Sequence, residues 1–76
     1  EINTAVSNIE SGLEFYPEEV ELEYRLAGLY FKKGDLLKGK FHLQNSLKRN
    51  SEYIIIMEEL FPVEYEMQEV QQLLKL

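Results

Sequence analysis

Three observations in the sequence predict an all-α fold built from paired helices. Turn signals at Pro17, Gly34, the Asn50–Ser51 pair and Pro62 cut the 76 residues into stretches of about 10–16, a length that suits helices better than strands. Within the stretches, apolar residues recur at helical spacing. The chain also matches itself when shifted by 34 residues.

The elements follow in order. Val6, Ile9 and Leu13 form one apolar stripe before Pro17. Leu22, Leu26, Leu29 and Tyr30 form a second, in a helix expected to open at Glu18, Glu19 and Glu21 and to close at Lys32 and Lys33. Leu36, Leu43 and Leu47 form a third, with Asp35 placed to cap its start and Lys48 and Arg49 at its end. Acids near helix starts and bases near helix ends complement the helix dipole. Tyr53–Met57, "YIIIM", is β-branched and uncharged like a strand, but no second strand is there to pair with it, so a buried helix is expected. Pro62 is expected to interrupt that helix. From Val63 one last helix carries Met67, Val70 and Leu74, with Leu73 beside the stripe and Glu64 and Glu66 in its first turn.

Size and composition narrow the function. Seventy-six residues make one domain at most, and a core of that size is marginal unless the shape is regular. With no cysteine there is neither a disulfide nor a thiolate metal site, and one histidine, His42, builds neither a zinc site nor a Ser-His-Asp relay. No cofactor or metal is expected. Glu18–Glu19 and Glu58–Glu59 are adjacent in sequence and splay apart on a helix instead of facing one substrate. No apolar run reaches membrane-spanning length, so no membrane partner is expected. The chain opens on Glu1, not Met, and is expected to be a processed or excised piece; a cytoplasmic setting is expected, with targeting left open.

Charge is unevenly placed. Residues 25–49 hold seven basic residues against one acid, Asp35, for +6, while the remainder holds Lys75 against thirteen acids for −12. That polarity fits either helix electrostatics or a basic docking surface between acidic flanks. A sequence pI near 4.7 argues against nucleic acid.

One motif invites a catalytic reading. Gly34–Lys40, "GDLLKGK", has the G-x-x-x-x-G-K spacing of a phosphate loop. Such a loop needs a strand before it, a helix start after it and Ser or Thr following the Lys. Here a helix precedes Gly34, Phe41 follows Lys40, and Gly39 falls inside the next helix with its amide committed to the backbone ladder. The motif is a turn between helices, and an enzyme is not expected.

The 34-residue match supplies the alternative. Ala5 falls on Gly39, Ile9 on Leu43, Gly12–Leu13 on Ser46–Leu47, Pro17–Glu18 on Ser51–Glu52, and Leu26 on Leu60. Leu26–Ala27 with Tyr30, Gly34–Asp35, Gly39, Leu43, Ser46–Leu47 and Asn50–Ser51 then resemble one full tetratricopeptide repeat (TPR). Glu23 departs from the family, standing where it often has Trp, and Phe61 and Pro62 break the pattern of the next unit.

The resemblance implies a short right-handed TPR-like solenoid with three segments. Residues 1–17 would be the second helix of a preceding repeat, 18–51 one full repeat, and 52–76 a degenerate repeat with a C-terminal cap. It also implies a non-enzymatic protein-interaction or scaffold module that takes a protein or peptide on its concave face. The matching groove residues are Tyr24, Gly28, Phe31 and Lys32. Only Lys32 fits the family's carboxylate clamp, so an apolar or aromatic-anchored ligand is expected. The alternative expectation is self-association, either a homodimer or packing of the uncovered first helix against upstream repeats.

Overall fold

Helix α2, Val20–Lys33, is the element around which the chain is arranged in a computed structural model that describes all residues Glu1–Leu76. It is preceded by α1, Ile2–Phe15, and followed by α3, Leu36–Arg49. A 3-10 turn, Ser51–Ile54, leads into three short helices, α4 (Ile55–Leu60), α5 (Pro62–Tyr65) and α6 (Gln68–Leu74). The protein is all-helical, as its apolar spacing predicts. The three long helices have 14 residues each, and α1 and α3 are offset by 34 residues at both ends.

Local chemistry explains the boundaries. α2 runs from Glu21 and Glu23 in its first turn to Lys32 and Lys33 in its last, and stops at Gly34, whose φ of +91° is left-handed. A side chain there would cost roughly 1–2 kcal/mol. Asp35 then caps α3, its Oδ1 accepting from the Lys38 amide at 3.2 Å. Pro62 opens α5 at a position where its missing N–H costs nothing.

Both hairpins are antiparallel. Glu23 near the start of α2 meets His42 and Arg49 toward the end of α3, while Phe31 near the end of α2 covers Gly39 near the start of α3. On the other side Tyr30 reaches Glu10, and Leu22 packs on Gly12. Helix α1 packs against α2 alone. α2 therefore contributes to two cores. Leu26 and Tyr30 join Val6 of α1 in a small one. Tyr24, Ala27 and Phe31 join Leu43, Met57, Phe61 and Val70 in the larger one. A fully buried Leu or Phe stabilises by about 1.5–3 kcal/mol, so the larger cluster dominates.

Two expectations about the C-terminal third change. Tyr53–Met57 is helical, but only Met57 of that stretch is buried, and Tyr53 and Ile55 face solvent. The last helix is not continuous from Val63. It breaks after Tyr65, and α6 restarts at Gln68 with Met67 extended, at ψ 144°. Glu64 sits in the first turn of α5, whereas Glu66 follows that helix instead of opening one. The Gln71 side-chain amide donates to the Tyr65 carbonyl at 2.6 Å, which helps hold the corner.

Gly28 sets the position of the shoulder formed by α4 and α5. The Phe61 ring lies directly on it, in the space a Cβ would occupy. Gly28→Ala should therefore destabilise by about 1–3 kcal/mol through overpacking. In a Phe61→Ala background the same change should be neutral or stabilising, because Ala exceeds Gly in helix propensity by about 0.8–1 kcal/mol. Urea denaturation of the four proteins of the cycle measures the coupling. Equal costs in both backgrounds would contradict the contact.

Candidate interaction surface

The four groove residues expected from the sequence do not share an open face. Tyr24 is 0% exposed and Phe31 3%, both inside the larger core, and Gly28 is covered by Phe61. Only Lys32 reaches solvent. The reason is the α4–α5 shoulder, which lies across the face of α2 where a ligand was expected. A partner therefore finds none of Tyr24, Gly28 or Phe31 on the surface.

Tyr24 has a structural task instead. Its hydroxyl donates to the Asn50 carbonyl at 2.6 Å, tying the start of α2 to the end of α3. Burial pushes its phenol up to about 12 from the ordinary 10. Tyr30 is raised as well, first by burial and then by its hydrogen bond to Glu10.

A polar cluster that sequence reasoning missed lies between α2 and α3. Glu23 is 8% exposed, and its carboxylate meets His42 Nδ1 at 3.2 Å and Arg49 Nε at 3.8 Å. The His42 ring stacks on Tyr30 at 5.5 Å and meets Phe41 edge-on at 5.1 Å. The Arg49 guanidinium also donates to the Pro17 carbonyl, bracing the α1–α2 turn. An acid in place of a large aromatic at position 23 was the available signal, since a carboxylate buried there needs cationic or N–H partners. The cluster pins the α2–α3 hairpin.

The open surface lies on the shoulder. A cleft of about 400 Å³ runs between α2 and α4, floored by Ile55, Ile56 and Leu60 and flanked by Glu21, Arg25 and Glu59. Glu21 and Arg25 pair with each other along its α2 wall at 3.0 Å. A wider cleft of about 640 Å³ separates α3 from α6, with Leu47, Ile54 and Leu73 along it and Lys48 as its one charged residue. Neither cleft is enclosed.

Fold and surface together define a class, a small all-α protein with open apolar clefts. The comparisons add no narrower assignment: the chain matches no protein-family model, no curated protein and no solved structure.

The Tyr24 phenol gives a pH test. A folded-state pKa above the unfolded one favours the neutral form in the folded protein. Its contribution to stability is therefore full below about pH 10 and is lost as pH rises toward 12. Phenolate absorbance should show one tyrosine that ionises only near pH 12, together with unfolding, and Tyr24→Phe should remove it. Complete ionisation of all five tyrosines near pH 10 with the helices intact would contradict this burial.

Proposed function

We propose that the chain is a non-enzymatic protein-interaction module, a TPR-like helical array that ends in the α4–α6 shoulder. The observation that carries this reading is the recurrence of α1 and α3 at the 34-residue offset of the sequence match. Small residues stand where that register needs them. Gly39 lies under the Phe31 ring, Gly12 takes Leu22, and Ser46 is fully buried with its hydroxyl donating to the His42 carbonyl at 2.8 Å. These contacts let neighbouring helices approach closely, the packing device of a stacked hairpin array.

The binding face in this reading is the cleft between α2 and α4, beside the positions that Phe61 fills. Its exposed Ile55 and Leu60 offer apolar anchors, and Glu21, Arg25 and Glu59 give a polar rim. An apolar centre with a charged rim is the usual division of labour at a protein interface.

Structural self-association is the second reading, and the charge distribution favours it. The exposed residues of α1 are Asn3, Thr4, Ser7, Asn8, Glu10, Ser11, Glu14 and, at its end, Phe15, so most of that helix offers a polar outer face. The unpaired opposite charges lie elsewhere, on α3 and on the shoulder.

Ile55→Asp and Leu60→Asp, both at exposed positions, should leave the helical circular dichroism unchanged. They should lower recovery of a specific partner protein in a pull-down about tenfold or more, the effect of losing one hot-spot side chain. Asn8→Asp on α1 should have no effect. Equal recovery with all three variants would overturn the assignment of the α2–α4 cleft.

A further inference from the structure

Charge in this molecule is segregated and largely unpaired. Residues 52–69 carry six acids and no base, whereas residues 32–49 carry six bases and one acid, Asp35, which is committed to capping α3. The ion pairs within the molecule are Glu21–Arg25 and Glu23–Arg49, and Glu23 also meets the His42 ring. Lys40 and Lys48 on α3, and Glu58, Glu59 and Glu66 on the shoulder, are exposed and belong to none of them. Dipole complementarity accounts for charges in the first and last turns of helices. It does not account for Lys40, or for the apolar residues that accompany each set.

Those residues are specific. On α3, Leu37 (81% exposed) and Phe41 are one turn apart, and helical spacing places Lys40 and Lys48 on the same outward stripe. On the shoulder, Ile55, Leu60 and Val63 (75% exposed) accompany the acids. One face is basic and apolar, and the other is acidic and apolar.

We propose that the chain pairs with a second copy of itself, the acidic shoulder of each copy docking on the outer face of α3 in the other. This deepens the self-association reading above and rests on it. A second copy is the partner that carries both complements. The net charge of −6 opposes approach at long range. At physiological salt screening acts over about 8 Å, so repulsion of the whole molecules fades while the contacting faces still attract. Stable interfaces bury about 800 Å² per partner, close to a sixth of this molecule's 4940 Å² surface. Two patches on short helices offer less, so the dimer should be weak and reversible.

Charge exchange tests the proposal with the protein as it exists. Lys40→Glu/Lys48→Glu makes the α3 stripe acidic like the shoulder, and Glu58→Lys/Glu59→Lys makes the charges of α4 basic like the α3 stripe. All four side chains are exposed and outside the molecule's ion pairs, and circular dichroism checks that the fold is kept. In sedimentation equilibrium the wild-type mass should rise with concentration toward that of a dimer, with at least about tenfold weaker association at 1 M salt, where screening shortens to about 3 Å. Each variant alone should remain a monomer at concentrations where the wild type is half dimeric. An equimolar mixture of the two should recover the dimer mass, because one contact keeps its native charges and the other is restored with the signs exchanged.

A monomeric mixture, or a single variant that associates like the wild type, would overturn the docking mode while leaving self-association standing. A wild-type chain that stays monomeric at every concentration would overturn both. Partner recovery through the α2–α4 cleft is read separately, on the wild-type chain, because Glu59 and Leu60 line that cleft as well.

Discussion

The contact between the Phe61 ring and the bare backbone of Gly28 determines where the last third of the chain can lie. A helix face without a side chain admits a ring at van der Waals range, and the ring brings α4 and α5 down onto α2. Met57 and Val70, both 0% exposed, close over the rest of the same core. With the shoulder seated there, α2 is buried on two sides: α1 takes Leu26 and Tyr30, while α3 and the shoulder take Tyr24, Ala27 and Phe31. A chain this short has little core to spare. Covering the face of α2 with its own C-terminal helices is how it completes one.

The same contact bears on the proposed function. In an open array of hairpins the face that carries Tyr24, Gly28 and Phe31 would be free to bind. Here the protein's own shoulder fills it, and the open surface is displaced to the rim, where α4 leaves a narrower cleft beside α2. The displaced surface is acidic and apolar, opposite in charge to the outer face of α3. Seating the shoulder on α2 thus completes the larger core and, on the proposed reading, supplies one half of an intermolecular contact.

Much of the fold was legible because its signals are local. Gly34 needs a left-handed conformation, Asp35 caps the amide three residues on, and the stripes of α1, α2 and α3 follow a simple period. The 34-residue match singled out Gly39 and Ser46 as small residues on α3, and both are buried. What escaped depends on contacts between residues far apart in the chain. The stretch Glu66–Gln68 contains neither glycine nor proline, so nothing in its composition marks the corner before α6. The groove residues were placed by register, but their burial depends on Phe61, which reads in the sequence only as a break in the pattern. Glu23 was noticed as a departure, yet its partners His42 and Arg49 lie on another helix.

The seating of Phe61 on Gly28 is directly observable by nuclear magnetic resonance. The Gly28 α-protons should show nuclear Overhauser contacts to the Phe61 ring protons and should resonate well upfield of ordinary helical glycine, because they lie over the ring face. Gly28 α-protons at ordinary shifts, without contacts to Phe61 and with the Tyr24 and Phe31 rings exposed to solvent, would mean that the shoulder does not cover α2 and that the face expected to bind a ligand is open.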